Sequence, residues 1–578
     1  MGYRELDLTV PLEESDQHIR KLVARTLRSA SAEFSYVILR KSLDARKKTD
    51  LHWTVRVGVT SPAIKQPAPE IEPPLVIPRP RPGAGATPGA GARNGGRVVV
   101  VGNGPAGFFA ALVLQTAGCS VTLIDRGTEV DERATRIEQF ETTGRFDPLG
   151  NYAFGEGGAG TFSDGKLTSR TKRISREKGF VLSSFVDAGA PQEIRYLAHP
   201  HVGSDNLRTV VRNLSRLFRE RGGTTLFETA LEDLSIRDGV VREAITSRGS
   251  LDAEHFVIAP GHSAYDTYRM LSRRGVQFRN KGFALGCRVE HPQALINEAQ
   301  WGFPEVAGLG AAEYRLSSVG DGVLPVYTFC MCPGGTIVPA AATADTNIVN
   351  GMSLFARDGR HANAGCLASL SPQMFFGEEA SPAATLDWLE AIERSFAEYA
   401  PGFRAPACGI EDFISRREPG SLRDSSYPLG LAPAPLWELL PAPVTSALTC
   451  GLKDFARSIR GFESGTIMGL ESKSSAPIQV VRGEGHLCVG FTNLSVIGEG
   501  SGFAGGIISS AVDGIKCAME MIAQSGTFRP VRAAPPIETG TAFGQALSVP
   551  AATSHSLAVN PVADYRLETP WDLRLPIL

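Results

Sequence analysis

The sequence predicts an α/β protein, and three observations predict it. A strand-like run, Arg97–Val101, leads straight into the glycine-rich turn Gly102-Asn103-Gly104-Pro105-Ala106-Gly107. A helical stretch from Pro105 to Ala117 and a second strand, Ser120–Ile124, ending in Asp125, come next. Glycine is abundant, 62 of 578 residues, against a usual ~7 per hundred, as expected where backbone turns tightly against a ligand. The expected architecture is a doubly wound Rossmann-like core, an inserted α+β substrate domain, and a small N-terminal β-α-β-β unit.

Composition narrows the class. Lys+Arg total 59 against 61 Asp+Glu, a net charge of −2, which argues against a generic polyanion binder such as a nucleic-acid protein. Nine Cys in this length are too sparse for a disulfide scaffold and lack zinc spacing, which favours a reducing compartment. The N-terminus lacks an apolar signal core. No apolar run approaches the ~18 residues of a membrane span. The expectation is a cytoplasmic protein with no membrane partner; the oligomeric state stays open.

The elements follow in chain order. Residues 1–60 form the small unit: strand Arg4–Val10, amphipathic helix Glu14–Ser29, strands Tyr36–Ser42 and Trp53–Val59, a ferredoxin-like pattern. Ten basic and three acidic residues lie between Arg20 and Arg56; a solvated face is expected there rather than a nucleic-acid patch. Residues 61–96 carry nine Pro and six Gly and read as a linker too poor in apolar surface to fold. The core is expected over 97–280 and 451–524, with the substrate domain over 281–450. The last stretch, 525–578, holds seven Pro and reads as a tail that Trp571, Leu573, Leu575 and Ile577 could anchor.

The turn at 102–107 carries the chemistry. In the G-x-G-x-x-G pattern Gly102 permits the tight turn, Gly104 lets a pyrophosphate approach the backbone, and Gly107 lets helix and strand pack closely. The helix N-terminus at Pro105 and Ala106 offers free N–H groups and a positive dipole end. Asp125 can accept hydrogen bonds from the adenosine ribose. Arg126 and Arg133 follow in the next loop.

A second glycine-rich segment, Phe154–Lys166, separates a flavin dinucleotide from a nicotinamide one. The isoalloxazine ring lies far from the adenosine and needs backbone close by. Gly157, Gly158, Ser163, Asp164 and Lys166 are expected around the ribityl chain or ring. Phe256–Ala264 gives a strand and a tight turn at Gly261. Leu494–Gly502 delivers Glu499, and Gly505 and Gly506 open the final helix toward the flavin.

Together these segments resemble a family of bacterial FAD-dependent dehydrogenases of largely unassigned substrate. The resemblance extends to Leu39–Lys48, Phe329-Cys330-Met331-Cys332-Pro333-Gly334-Gly335 and Asn350–Ser353. It implies tightly bound FAD, a glutathione-reductase-type flavin domain and an inserted substrate domain. Two positions depart from the pattern. Tyr265 and Lys473 stand where the family usually has Arg. The long linker and the tail look foreign to it. These departures suggest a specialised paralogue, such as a tailoring enzyme of secondary metabolism.

Other residues carry competing readings. His262 and Tyr265 are candidate acid–base groups beside the flavin-proximal turn. Lys473 is the third catalytic candidate, from a charged group that includes Glu463, Glu471 and Arg482. Cys330 and Cys332 could be a redox pair, but adjacent-but-one cysteines close only a strained disulfide. A shaping role for the Pro-Gly-Gly turn is the expectation there. His199 and His201 lack a third metal ligand nearby in sequence, so no metal is expected. No second dinucleotide fingerprint is visible, so either NAD(P)H visits transiently at the flavin face or another donor reduces the flavin.

The expected function is hydride transfer between flavin N5 and a small organic substrate. An NAD(P)H- and oxygen-using monooxygenase is the alternative enzyme. A flavin-containing scaffold that binds nucleic acid or a partner is the alternative outside enzymes.

Overall fold

The computed structural model describes residues 1–13, 15–28, 33–69, 72–78, 96–377 and 380–524. The tail 525–578 with its four apolar anchors, and the Gly-Ala-rich part of the linker, lie outside the described residues.

The N-terminal unit contains β1 (Gly2–Val10), β2 (Ser35–Asp44) and β3 (His52–Ser61). β3 lies in the middle, antiparallel to both neighbours. Period-two alternation places Leu6, Leu8 and Val10 of β1 beside Val55, Val57 and Val59 of β3. Ile19 and Val23 of the helix Asp16–Thr26 cover them. On the charged face Arg56 pairs with Asp7 and Arg46 with Asp44, so part of the excess positive charge is neutralised locally.

This unit docks on the body. The Lys41 N–H donates to Tyr196 O and the Ala198 N–H donates to Lys41 O, both at 2.9 Å. The linker docks too. Leu75 and Ile77, only 8% and 4% exposed, enter the core of the body. Composition argued for a Pro-rich tether, yet two apolar side chains on either side of the exposed Val76 are enough to dock it.

The body starts with β4 (Arg97–Val101), β5 (Ser120–Ile124) and β6 (Thr224–Leu226). An antiparallel meander follows, β7 (Leu231–Arg237), β8 (Val240–Thr246) and β9 (Gly249–Asp252), then β10 (His255–Ile258). The chain next makes β11 (Phe278–Asn280), β12 (Phe283–Pro292), β13 (Ser317–Ser318), β14 (Val326–Cys332), β15 (Thr336–Pro339) and β16 (Val349–Met352). β17 (His361–Leu370), β18 (Ala405–Gly409), β19 (Leu431–Pro433), β20 (Thr466–Glu471), β21 (Ile478–Val480) and β22 (Leu494–Val496) complete the set.

Five strands form one parallel sheet in the order β22-β10-β4-β5-β6. Its middle strand, β4, is a run of four valines after Arg97, as a strand buried on both faces requires. Val98, Val100, Leu123 and Val257 share a core with the helices Pro105–Thr116 and Ile507–Gln524. Val99, Val101, Ile124, Phe256 and Ile258 share one with the β7–β9 meander. The two helices touch backbone to backbone: a Cβ on Gly514 would lie 2.1 Å from Ala106 O.

The inserted unit is a seven-stranded sheet, β13-β14-β17-β12-β20-β18-β19. The helices Pro382–Tyr399 and Ala442–Ser458 supply Phe396, Leu448 and Phe455 to its core. The boundary expected at 450 falls inside the second of these helices. β20, beyond it, is a central strand of the same sheet, so the unit extends past Glu471 before the chain returns to the parallel sheet at β22.

Each buried aliphatic side chain contributes about 1.5–3 kcal/mol, so the docked linker is sensitive to charge. Replacing Leu75 and Ile77 together by Asp should expose residues 72–78 to limited proteolysis while the parallel-sheet body stays folded. Unchanged protease resistance would show that these contacts do not hold the linker.

Candidate active site

The loop after β4 is built from close backbone approaches. Gly102 has φ +97°, and a Cβ there would meet Ala259 O at 2.2 Å. A Cβ on Gly107 would lie 1.9 Å from Gly102 O. Gly104 caps the helix Pro105–Thr116 without a side-chain hydrogen bond, leaving the first N–H groups to a ligand. Gly158 of the second glycine-rich loop faces Gly104, and a Cβ on it would lie 2.8 Å from Gly104 Cα. Gly157 donates its N–H to Asn103 O at 2.8 Å. The two loops expected to share one ligand are therefore in direct contact.

Asp125 fastens them together. Its Oδ2 accepts from Asn103 N at 2.7 Å, and its Oδ1 accepts from Gly127 N at 2.8 Å and Gly155 N at 2.9 Å. A carboxylate offers about four acceptor positions; one on Oδ2 is left for a hydroxyl. Arg126 stacks over Phe154 and donates to Asp266 and Thr267. Arg133, expected at the cofactor, is fully buried and does not reach a ligand surface. It donates to the carbonyls of Asn151, Tyr152, Glu156 and Gly158 at 2.8–3.0 Å, clamping the loop from behind.

The end of that loop carries a charged group. Ser163 Oγ donates to Gly160 O and accepts from Gly165 N. Asp164 is fully buried and takes a two-pronged hydrogen bond from Arg357 at 2.8 and 2.6 Å. Lys166 Nζ donates to Asp164 Oδ2 at 2.6 Å and to Met331 O. His201 is bonded to Phe355 O at 3.0 Å and stacks on the Phe355 ring.

The last segment closes on the Gly261 turn. A Cβ on Gly500 would touch Pro260 and Gly261, and Tyr268 Oη donates to Gly261 O at 2.6 Å. Burial pushes the Glu499 carboxyl up to about 8, opposed by Lys281. Gly505 and Gly506 are exposed just before the helix Ile507–Gln524. Asp513 of that helix accepts from Gly498 N and pairs with Arg482, fixing the turn that carries Glu499.

Two of the three catalytic candidates, Tyr265 and Lys473, meet one helical turn from Gly261, while the His262 ring is bonded to Ser263 Oγ. Lys473 Nζ lies 2.5 Å from Tyr265 Oη and 2.7 Å from Glu393 Oε1. Tyr265 Oη donates to Glu393 Oε1 at 3.2 Å, and Ser472 Oγ donates to it at 2.7 Å. Burial, then Glu393, pushes the Tyr265 phenol up. Burial pulls the Lys473 ammonium down against Glu393. Burial and the nearby Lys473 charge push His262 down to about 3, so its ring is neutral near pH 7. Glu393 was not among the sequence candidates. The others of the charged group disperse: Glu463 is exposed, Glu471 pairs with Arg288 and Arg482 with Asp513.

Comparison with known proteins fits this geometry. Residues 282–474 match the family described as FAD-dependent protein, C-terminal domain-like, and residues 96–147 match an FAD binding domain. Residues 3–60 match a domain of unknown function. An uncharacterized protein of Clostridium beijerinckii is 36% identical over 533 residues, covering 90% of this chain and 99% of its own length. The chain belongs to the FAD-dependent protein family. Solved structures with a low overall similarity include CtdE in complex with FAD and substrate 4 (TM-score 0.31, 11% identity, 72% of this chain and 79% of that one). Glycine oxidase from Bacillus cereus is another (TM-score 0.30, 11% identity, 76% and 100%).

FAD is the cofactor of this flavoprotein, and the residues present fit it. Gly102, Gly104, Gly107 and Gly158 leave a cradle that side chains would fill. Asn103 Nδ2 is buried in the same turn without a hydrogen-bond partner, a spare donor where the pyrophosphate is expected. Asp125 would hold the adenosine ribose through its spare acceptor, and Glu499 would hold the ribityl end.

Two outcomes follow for the flavoprotein. Gly107→Val forces its side chain into Gly102 O; it should destabilise by on the order of 1–3 kcal/mol and yield colourless protein. A yellow variant with full FAD occupancy would contradict the cradle. The second concerns pH. Glu499 titrates higher when folded than the usual 4.5, so its ionisation opposes folding. Stability of the FAD-free protein should fall as pH rises from about 4.5 to about 8. Melting temperatures across that range should fall less in Glu499→Gln; equal slopes would remove Glu499 as a cause.

Proposed function

We propose that this chain is an FAD-dependent oxidoreductase that moves a hydride between flavin N5 and a small organic substrate, with Tyr265, Lys473 and Glu393 handling the accompanying proton. One observation carries the reading: the buried contact of Tyr265 with Lys473 and Glu393, on the helix that leaves the Gly261 turn. FAD, when bound, supplies a two-electron donor and acceptor. Hydride loss from a carbon bearing a hydroxyl or amine leaves a proton that the protein must take up.

The side chains suit that task. Lys473 donates to Tyr265 Oη and to Glu393, and the phenol proton points to Glu393. Burial keeps Tyr265 protonated, so it serves as donor in reduction and passes its proton along the Glu393 contact in oxidation. Neutral His262, bonded to Ser263 Oγ at 2.6 Å, orients the substrate. The reading of a specialised paralogue gains weight from one contact. Tyr265 and Lys473, the two departures from the family pattern, touch each other, so the change is a paired one in a single site. A substrate of secondary metabolism fits it, with NAD(P)H as a transient reductant at the flavin face.

Anaerobic mixing with NADPH, NADH and a panel of alcohols, amines and hydroxy acids tests the reading through flavin absorbance. Bleaching by one of them is expected, and Tyr265→Phe should slow that bleaching about 10²–10⁴-fold at unchanged FAD content. A Tyr265→Phe protein as fast as the parent would remove the proton role. Oxygen uptake matched by an oxygenated product would replace hydride transfer with the monooxygenase reading.

A further inference from the structure

A regular strand rises about 3.3 Å per residue, so residues i and i+2 stand with Cβ vectors parallel and too far apart for easy disulfide closure. The strand carrying Cys330 and Cys332 is not regular. Phe329 pairs with Gly365 of β17 and Cys332 with Asn363, so three steps on β14 match two on its partner. Cys330 takes up the bulge at φ +43°, a conformation rare for a side-chain-bearing residue.

The bend folds Cys332 back onto its neighbour: Cys332 Sγ donates to Cys330 O at 3.2 Å. The bulge is pinned from two sides by cations. Arg288, fully buried, donates to Cys330 O at 3.3–3.4 Å and is itself held by Glu471 at 2.8 Å and by Asn350 and Asn363 at 3.0 Å. Lys166, from the glycine-rich loop of the FAD cradle, donates to Met331 O. Bulges and strained residues of this kind collect at functional sites.

Cys330 differs from the deeply buried cysteines of the chain. Burial pushes Cys119 up to about 11 and Cys366, Cys408, Cys488 and Cys517 up to about 12. Cys330 instead goes down, chiefly through its neighbour Cys332, with Lys166 and Arg288 adding to it. The Cys332 thiol is pushed up and keeps its proton. A thiol lowered by its surroundings beside one that keeps its proton suits a dithiol that exchanges electrons.

We propose that Cys330 and Cys332 form a redox-active dithiol that closes to an intramolecular disulfide with the bound FAD as its two-electron partner. In the closing direction one S–S bond forms and two S–H bonds are lost. The two electrons and one of the thiol protons would pass to oxidised FAD and the second proton to solvent; the reverse reaction opens the disulfide. Strain from the short spacing, the objection raised by the sequence, makes such a disulfide easy to reduce and so suited to cycling. This centre does not depend on the hydride reading at Tyr265 and Lys473.

Reductive titration of the air-oxidised holoprotein with dithionite tests it. Full reduction should take four electrons per FAD in the parent and two in Cys330→Ser and Cys332→Ser. In parallel, the parent is equilibrated anaerobically with graded mixtures of reduced and oxidised dithiothreitol and alkylated. Toward the oxidised end the peptide holding both cysteines should escape alkylation, at a mass two hydrogens below that of its unmodified dithiol; this needs no variant to fold. Two free thiols in every mixture would overturn the proposal. So would a disulfide in a parent protein that still takes only two electrons, since FAD would then not be its partner.

Discussion

One carboxylate holds the cofactor cradle in shape. Asp125 accepts three backbone N–H groups, from the turn after β4, from its own loop, and from the second glycine-rich loop. Hydrogen bonds to a charged acceptor are worth about 1.5–3 kcal/mol each, and here they converge on a buried group. Arg133 completes the arrangement from behind, satisfying four carbonyls of the same loop with one side chain. The anionic and cationic clamps act on opposite ends of peptide dipoles, so the loop is held by its N–H groups on one side and its C=O groups on the other. Gly104 and Gly158 meet between the two clamps.

The cradle was legible in the sequence where the reason was local. The turn at Gly102 and the tight packing at Gly107 follow from φ and from backbone approach within one β-α-β unit. The N-terminal unit was legible because its strands alternate with period two. The clamping role of Arg133 was not, because its four carbonyl partners come from a loop whose path no periodicity fixes. Glu393 was invisible for the same reason. Nothing in the pattern of the helix Pro382–Tyr399 marks that position as one that turns to a buried lysine from β20's far end. The cysteine pair was read as shape because the spacing argument assumed a flat strand, and the bulge in β14 removes that assumption. At the boundary near 450, composition showed no break, since the helix there packs with what precedes it and β20 pairs with strands on both sides.

A short stretch at the end of β20 serves two charged groups. Glu471 meets Arg288, and two residues later Lys473 meets Tyr265 and Glu393. Burying an ion pair is costly unless its remaining hydrogen bonds are met, and both pairs have such partners in Asn350, Asn363 and Ser472. The segment is thereby fixed in register, and the inserted unit and the helix beginning at Tyr265 share one rigid seam.

The parallel sheet is discontinuous in sequence. β4 and β5 come early, but β22 pairs with β10 and the helix Ile507–Gln524 packs on Pro105–Thr116 only after the whole inserted unit has been traversed. During synthesis the N-terminal unit and the seven-stranded sheet can fold as their residues emerge. The sheet that holds FAD must wait, with the Val257 face of β10 and the helix Pro105–Thr116 uncovered, until the helix Ile507–Gln524 is released. Contacts so far apart in the chain form slowly, and open strand edges invite association in the interval. The nascent chain is thus most exposed to aggregation just before its cofactor site can exist.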